Sequence, residues 1–335
     1  MSGASPALLA GVRGQPTAVE TLRRGLAAGR VHHAYLFDGP NGVGKERAAF
    51  GLAQALVCER RSQGSADACG ECRACARAVP RPGEGTPLHP DVVVLERGLY
   101  DPAAIGRRSP ETQDISIDQV RTLVLARAAF SPHEGRAKVF VVRRAEELSL
   151  PAANALLKTL EEPGARTHFV LLTAVADSLL PTILSRVQRI RFGALPDDVV
   201  AALLVERGTD AAQATELARL AGGSMAMALV LADPEASARR EEFVSRALGA
   251  LEATDIGAAL ELAEEAKKVA RDVLLVQMET LAVALAARAR AGPSERAADV
   301  AAARHSIALA AMQQVDANAS AQLAVEAMLL KMRDA

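Results

Sequence analysis

The sequence predicts an α/β fold with a parallel sheet, followed by a region built of helices alone. In the first half, short apolar runs alternate with helical stretches; the runs are residues 34–39, 91–96, 137–142, 168–174 and 187–192. Because parallel strands need long crossover connections, this alternation is typical of a parallel sheet covered by helices on both faces. After residue 193 the β pattern stops, which confines the predicted sheet to the first half.

Helical periodicity fills the intervals between these runs, at residues 17–29, 46–58, 116–130 and 151–162. Ser149 is placed to cap the last of these helices, and Pro151 is tolerated in a first helical turn. Residues 97–114 are rich in proline, glycine and charge, so they predict a loop.

The second half predicts helices separated by glycine and proline. Three short helical stretches are followed by two or more longer ones, and together they cover residues 199–208, 210–223, 225–233, about 235–291 and about 294–332. Breakers at 222–223, 233–234 and 292–293 separate them.

Composition excludes several classes of protein. The 335 residues carry a formal net charge of -1, half of them are hydrophobic, and only 3% are aromatic. That charge balance argues against a protein held on nucleic acid by a large positive field. The N-terminal residues 1–15 lack the pattern of a signal peptide, and no apolar run approaches the roughly 18 residues of a membrane helix. We expect a cytoplasmic protein without a membrane partner.

One short motif indicates phosphate binding. Residues 39–46 read GPNGVGKE, and the first seven fit the phosphate-loop pattern G-x-x-x-x-G-K-[ST]. In such loops, glycines let backbone N–H groups surround phosphates while the lysine reaches the β and γ oxygens. The candidate nucleotide-binding residues are Gly39, Gly42, Gly44 and Lys45. The eighth position holds Glu46 instead of the hydroxyl that binds Mg²⁺, so ATP binding by this chain stays open.

A second position needed for ATP hydrolysis is also altered. A phosphate-loop ATPase needs a carboxylate at the end of a neighbouring apolar strand to hold Mg²⁺, commonly followed by a glutamate that activates water. Arg143 and Arg144 follow the candidate strand instead, and Glu146 and Glu147 lie beyond its end. The earlier apolar run lacks a following acidic pair. With two catalytic positions lost, we predict no ATP hydrolysis in this chain's own site.

The four cysteines of the chain lie within one short segment, with the spacing C-x10-C-x2-C-x2-C. Thiolates two residues apart can converge on one tetrahedral Zn²⁺ when the backbone turns tightly. Disulfides, free buried thiols and a redox Cys-x-x-Cys are less favoured alternatives in a cytosolic chain. We therefore predict a structural zinc site formed by Cys58, Cys69, Cys72 and Cys75.

Arg186 is a candidate for catalysis in a neighbouring subunit. It lies between a helical segment and the last predicted strand. Ring-forming ATPases often place an arginine there, where it points into the adjacent subunit's site and stabilises charge on the transferring phosphate. An ordinary surface arginine is the alternative. His32 and His33 precede the first strand, and we assign them no role.

Together these residues resemble the AAA+ subunits of DNA clamp loaders, and specifically the delta-prime family of bacterial DNA polymerase III. The resemblance covers residues from about 11 to 235 and is strongest in HHAYLFDGPNGVGK (32–45), in CGECRAC (69–75) leading to LHPD (88–91), and in NALLKTLEEP (154–163) followed by SRV (185–187). The family usually has SRC in the last motif; here Val187 replaces the cysteine and Arg186 is retained.

The resemblance implies an AAA+ domain at residues 1–193 with a zinc module at 58–75, a helical lid at 194–233 and a helical collar at 234–335. It also implies a non-hydrolysing subunit of the DNA polymerase III holoenzyme that supplies Arg186 in trans. Its partners would be the gamma/tau and delta subunits in a hetero-oligomeric ring. That ring would load the sliding clamp onto primed DNA with ATP hydrolysed by partner subunits.

Two alternatives remain open at this point. The related gamma/tau subunits keep the hydroxyl, the acidic pair and usually a lid arginine, where this chain has Ala226. An active AAA+ ATPase with non-standard metal ligands would hydrolyse ATP as an isolated chain. A zinc-stabilised DNA-binding protein outside any ring would bind duplex DNA with a steep dependence on salt.

Overall fold

A computed structural model describes residues 7–81, 83–105, 114–134, 136–269, 271–291, 294–316 and 319–335. It confirms the predicted α/β fold and the helical C-terminal region. The chain divides into two compact units. One comprises the described residues up to Arg207 together with Ala218–Ala226, and the other comprises Gly208–Leu217 and Met227–Ala335. The division into three domains at residues 193 and 233 stays a prediction.

The first unit contains a five-stranded parallel sheet with the order β2-β3-β4-β1-β5. Its strands are β1 (Ala34–Asp38), β2 (Val92–Leu95), β3 (Lys138–Val142), β4 (Thr167–Thr173) and β5 (Gln188–Arg191). All five predicted strands are thus confirmed. β2 and β3 are buried at every position, as expected when both faces of a parallel sheet are covered, whereas the edge strand β5 is largely exposed.

The strand order corrects one detail of the sequence argument. β4 lies between β1 and β3, so β3, which precedes the altered acidic positions, is not the direct neighbour of β1. The carboxyl ends of parallel strands nevertheless meet at one edge of the sheet. Residues that follow β1, β2, β3 and β4 are therefore brought together there, although they are far apart in the sequence.

α-Helices connect the strands and form the second unit. Those within the described residues are α1 (Pro16–Ala27), α2 (Lys45–Val57), α3 (Arg73–Arg77), α4 (Ile117–Gln119), α5 (Ala126–Ala128), α6 (Leu150–Glu161), α7 (Pro181–Leu184), α8 (Asp197–Val205), α9 (Ala211–Leu220), α10 (Met225–Ala232), α11 (Pro234–Glu252), α12 (Gly257–Ala266), α13 (Arg271–Ala291), α14 (Glu295–Asp316) and α15 (Ala321–Asp334). Short 3-10 turns occur at Pro102–Ile105, Ala145–Glu147 and Ala176–Ser178.

Most predicted helices are confirmed, and one is changed in type. α6 begins as expected, because the Ser149 hydroxyl accepts a hydrogen bond from the Ala152 backbone N–H at 3.4 Å. The stretch predicted as one α-helix at 116–130 instead contains a π-helix at Val120–Leu125 between α4 and α5. The loop predicted at 97–114 is described only in part, since its residues 106–113 lie outside the described residues.

The longer C-terminal helices are more interrupted than their periodicity indicates. The stretch 235–291 forms α11, α12 and α13, and the stretch 294–332 forms α14 and α15. Leu274, Met278 and Val325 are among the buried apolar residues that join these helices into one core. The predicted break at 292–293 lies outside the described residues. No helix in the described part of the chain is both long and apolar enough to cross a membrane.

The core of the first unit contains two stacked aromatic rings in adjacent strands. Phe140 on β3 and Phe169 on β4 occupy paired positions, and their ring centroids are 5.1 Å apart. Both side chains are fully buried, and Leu156 and Leu160 of α6 belong to the same cluster. This packing holds β3 against β4 and so fixes the positions of the residues that follow each strand.

We expect Phe140→Ala to lower the free energy of unfolding of the first unit by about 3–5 kcal/mol, because it leaves a cavity beside Phe169. Phe130→Ala is the matched control, since the Phe130 side chain is 70% exposed and its loss should change that free energy by less than about 0.5 kcal/mol. Hydrogen exchange of β3 and β4 amides measures both. Equal effects of the two substitutions would contradict this description of the core.

Candidate functional site

The phosphate loop (residues 39–45) joins β1 to α2 in a conformation that requires glycine. Gly39, Gly42 and Gly44 have φ angles of 155°, 77° and 98°. A Cβ atom at Gly39 would lie 2.0 Å from the Phe192 carbonyl oxygen. One at Gly42 would lie 2.5 Å from the Ala226 backbone nitrogen. Both the backbone angles and the close neighbours therefore explain the glycine pattern that the sequence shows.

The Lys45 side chain folds back onto the phosphate loop. Its Nζ donates hydrogen bonds to the carbonyl oxygens of Gly39 at 2.5 Å and Pro40 at 2.6 Å. Burial lowers the pKa of Lys45, while the negative charges of Glu146 and Asp38 oppose that shift. The structure thus brings the four predicted nucleotide-binding residues into one loop. Whether that loop binds nucleotide stays a prediction.

Two of the residues that depart from the sequence pattern of an active ATPase contact each other. Arg143, which stands where a metal-binding carboxylate is expected, forms an ion pair through Nη2 with Glu46, which stands where the metal-binding hydroxyl is expected. Its Nη1 donates to the carboxylate of Glu96, the residue immediately after β2, at 2.7 Å. The same nitrogen donates to the Gly85 carbonyl oxygen at 3.2 Å. Two changes that look independent in the sequence are therefore one interaction in the structure.

Packing and charge both hold the Arg143 side chain in place. The guanidinium carbon lies 5.6 Å from the centre of the Phe50 ring, and the side chain is 13% exposed. Burial works against the charged form, but hydrogen bonds and the charges of Glu96 and Glu46 outweigh it, so the pKa of Arg143 is raised. A fixed cation, paired with two carboxylates, thus occupies the end of β3 beside the loop.

The acidic residues beyond β3 have different surroundings. Glu147 pairs with Arg144 at 3.3 Å and with Arg97 at 3.5 Å. Glu146 accepts from the Ala174 N–H at 3.5 Å, and its Oε2 is buried without a hydrogen-bond partner within the described residues. Its charge also acts on Lys45. The 3-10 turn thus places Glu146 beside the residue that follows β4, at the same edge of the sheet as the phosphate loop. That neither glutamate replaces the missing acidic pair stays a prediction.

The start of α10 contacts the phosphate loop at Gly42. The Met225 N–H donates to the Gly42 carbonyl oxygen at 3.1 Å, and the nearest neighbours of Gly42 include Ala226. Ala226 therefore lies against the phosphate loop, where its side chain contributes only a methyl group. Thr173, at the end of β4, is buried, and its carbonyl oxygen accepts from the Gly39 N–H at 3.3 Å.

The four cysteines come together in space as predicted. Their sulfur atoms all lie within 4.8 Å of one another, and none forms a disulfide. The Sγ atoms of Cys69 and Cys75 are 3.8 Å apart, and those of Cys72 and Cys58 are 4.0 Å apart. A zinc ion with four bonds of about 2.3 Å has sulfur–sulfur edges of about 3.8 Å, so the cluster matches a tetrahedral zinc site.

Backbone N–H groups direct the thiols towards one another. The N–H groups of Cys69, Cys72 and Cys75 each donate to the sulfur of the preceding cysteine, at 3.3–3.4 Å. Slight burial opposes ionisation of Cys69, but hydrogen bonds from the Glu71 and Cys72 backbone and from neighbouring thiols lower its pKa to about 6. Burial raises the pKa of Cys75. The donor set and its hydrogen bonds are compatible with a structural zinc ion.

A polar network around the buried Asp91 side chain anchors this cysteine segment to the sheet. Asp91, just before β2, accepts from the N–H groups of His133 at 2.6 Å and Glu134 at 2.7 Å. Glu134 in turn receives two hydrogen bonds of 2.8 Å from Arg77 at the end of α3. The His89 N–H donates to the Arg77 carbonyl oxygen at 2.9 Å. The LHPD segment therefore connects the cysteine cluster to β2.

Arg186 lies after α7, on a different part of the first unit. Its Nε donates to Glu161 Oε1 at 2.7 Å, and its Nη2 contacts the same oxygen. Its Nη1 donates to the Thr182 carbonyl oxygen at 2.8 Å and to the Ser185 hydroxyl at 3.0 Å. The side chain is 30% exposed, so it is accessible at the surface while held by three residues of its own chain.

A cavity of about 580 Å³ opens beside this arginine. Arg186, Glu161, His32 and His33 are among its lining residues, and the two imidazole rings stack at 4.3 Å. Burial is the larger cause that lowers the pKa of His33, and the neighbouring His32 lowers this pKa further. The histidines to which the sequence assigned no role thus belong to the surroundings of Arg186.

Three acidic residues of these sites were not identified from the sequence. Glu96 was detectable in principle, because it directly follows an apolar strand. Glu146 was considered and set aside because of its distance from the strand end. Glu161 gave no signal, since 25 residues separate it from Arg186 in the chain. Each acquires its role only through a contact with a residue distant in the sequence.

Comparison with known proteins identifies the family. The model of the family described as "DNA polymerase III, delta subunit" matches residues 14–196. DNA polymerase III subunit gamma/tau of Mycobacterium bovis is 35% identical over 260 residues, which are 75% of this chain and 41% of that protein. This chain therefore spans about two fifths of the length of that relative.

Two delta' subunits also match. That of Pseudomonas aeruginosa is 42% identical over 156 residues, which are 46% of this chain and 41% of that protein. That of Bacillus subtilis is 31% identical over 206 residues, which are 62% and 56% of the respective chains. The solved structure of a gamma subunit-related protein from Thermotoga maritima matches 94% of this chain and 98% of its own, with 19% identity and a TM-score of 0.46. By its family match and these relatives, the chain belongs to the AAA+ family of DNA polymerase III clamp-loader subunits.

Proposed function

We propose that this chain is the delta-prime subunit of a DNA polymerase III clamp loader and does not hydrolyse ATP in its own site. In a hetero-oligomeric ring with gamma/tau and delta subunits, it would help to load the sliding clamp onto primed DNA during replication. ATP would be hydrolysed by partner subunits, and this chain would supply Arg186 to one of their sites.

The interaction of Arg143 with Glu46 and Glu96 carries the non-hydrolysing part of this proposal. A magnesium ion bound to ATP needs oxygen ligands from the residue after the loop lysine and from the end of β3. Here the first of these positions is a glutamate already paired with a cation, and the second is that cation. A guanidinium repels Mg²⁺ and has no oxygen to ligate it. Both electrostatic repulsion and the lack of an oxygen ligand therefore oppose metal binding at this position.

The position of Arg186 supports the second part. It is a partly exposed arginine beside an open cavity, and its guanidinium is oriented by hydrogen bonds from Nη1 to the end of α7. A planar guanidinium is well suited to phosphate oxygens, which it can bind through two parallel hydrogen bonds. A neighbouring subunit's ATP would provide such oxygens.

We also propose that Cys58, Cys69, Cys72 and Cys75 hold one structural zinc ion. All four ligand positions would be taken by thiolates, which leaves no open position for a substrate. The ion would stabilise the segment between α2 and β2, which includes residues from 58 to 91, and would take no part in ATP hydrolysis.

A second candidate is an active ATPase with non-standard metal ligands, and Glu146 favours it. The Glu146 carboxylate acts on Lys45 and keeps one oxygen without a hydrogen-bond partner in the described residues. Against it, the fixed positive charge of Arg143 lies at the end of the same strand. The two candidates differ in one measurable property, which is ATP turnover by the isolated chain.

We expect Arg143→Met to lower the free energy of unfolding of the first unit by about 1–3 kcal/mol, because it removes charged hydrogen bonds and leaves Glu96 unpaired. Arg144→Met is the matched control, since Arg144 is more exposed and its loss should cost less than about 0.5 kcal/mol. Hydrogen exchange of β2 and β3 amides measures the difference. Equal costs would mean that the Arg143 network does not stabilise the fold around the metal position.

In a reconstituted ring, we expect Arg186→Ala to lower the rate of ATP hydrolysis about 10³-fold at equal assembly, as removal of an arginine finger does in related phosphate-loop systems. The steady-state rate should be measured with Arg189→Ala as a control, because Arg189 is a nearby arginine paired with Asp38. Magnesium-dependent turnover by the isolated wild-type chain should be nil. Turnover there would favour the active ATPase, and an unchanged rate in the ring would remove the finger assignment.

We expect one tightly bound zinc ion per chain, with four thiols released when the metal is chelated. Cys72→Ser should lower both the zinc content and the melting temperature, because it removes a ligand. Ser62→Ala, a small change at an exposed site in the same segment, should alter neither. Elemental analysis and thermal unfolding measure these outcomes. A metal-free preparation with an unchanged melting temperature would contradict the zinc site.

A further inference from the structure

Glu161 covers one edge of the Arg186 guanidinium. A guanidinium binds a phosphate group most strongly when two of its N–H groups, on neighbouring nitrogens, face two oxygens. In Arg186 one such edge is formed by Nε and Nη2, and both of these atoms contact Glu161 Oε1. The remaining nitrogen, Nη1, is bonded to Thr182 and Ser185. The edge available for a phosphate is therefore the edge that the carboxylate occupies.

Both side chains of this ion pair are partly exposed, so the contact can exchange. Glu161 ends α6 and is 47% exposed, and Arg186 is 30% exposed. Ion pairs between partly exposed groups contribute little, since solvent screens them. A polyphosphate carries more negative charge than one carboxylate, so it can displace Glu161 from the guanidinium. The cavity beside the pair, lined by both residues and by His33, gives the incoming group room.

We propose that Glu161 is a positioning residue that masks the phosphate-binding edge of Arg186, and that a nucleoside triphosphate held by a neighbouring subunit displaces it. In the free chain, Glu161 keeps the guanidinium at the rim of the cavity and unavailable to other anions. In the ring, phosphate oxygens take the place of the carboxylate on Nε and Nη2, while Nη1 stays bonded to the end of α7. This inference rests on the proposed role of Arg186 in trans.

The first test uses the isolated chain and does not depend on that role. Phenylglyoxal reacts with accessible arginine side chains, and mass spectrometry of the Arg186 peptide measures the rate. We expect Glu161→Gln to raise this rate about two- to fivefold, because it removes one partly exposed ion pair. Glu162→Gln is the matched control, since it makes the same charge change one residue away, at another exposed side chain. Equal rates in wild type and Glu161→Gln would overturn the masking.

The second test uses the reconstituted ring. If Arg186 acts on the transition state, Glu161→Gln should raise kcat for ATP about two- to fivefold with KM unchanged. The reason is that a larger fraction of Arg186 is then free to contact the phosphate. The double variant Glu161→Gln with Arg186→Ala should behave like Arg186→Ala alone. A lower kcat in Glu161→Gln, with Arg186→Ala strongly impaired, would overturn the masking and leave the finger in place. An unchanged rate in Arg186→Ala would overturn the finger, and the phenylglyoxal rates would then decide the masking alone.

Discussion

Every strand of the sheet runs in the same direction, so the chain leaves each strand at the same edge, and the candidate nucleotide site depends on that constraint. The phosphate loop follows β1, Glu96 follows β2, Arg143 follows β3, and Thr173 ends β4. The stacked rings of Phe140 and Phe169 keep β3 and β4 in register, which fixes the distance between these groups. The contacts at the edge are consequences of strand order and core packing, because no local segment contains more than one of the partners.

At that edge, a positive charge of the protein lies between α2 and the end of β3. An active site of this type holds a divalent cation between the residue after the lysine and the end of β3. Here a guanidinium from β3 contacts a carboxylate on α2, so positive charge is still present between the two elements, but it belongs to the protein. The glycines and Lys45 keep their arrangement beside it. The loop therefore keeps its glycine-dependent shape beside a fixed guanidinium.

The ion pair of Arg186 differs from that of Arg143 in its exposure to solvent. The Arg143–Glu96 pair is largely buried and its arginine lies against an aromatic ring, whereas the Arg186–Glu161 pair is more exposed and lies beside an open cavity. Screening by water makes the second pair weaker and more readily exchanged than the first. The same residue types thus form a network around a largely buried arginine in one place and a partly exposed ion pair in the other.

The sequence alone determined the elements and the local motifs. All five strands, the glycine pattern of the phosphate loop, the N-cap at Ser149 and the four cysteines follow from periodicity and spacing over a few residues. The tertiary structure alone decided which distant residues meet. It placed β4 between β1 and β3, joined Glu46 to Arg143 and Glu161 to Arg186, and brought Glu146 to the Ala174 N–H after β4. The physical reason is that spacing along the chain constrains neighbours within a helix or strand, whereas ion pairs across the sheet depend on strand order and on the exact course of the turns.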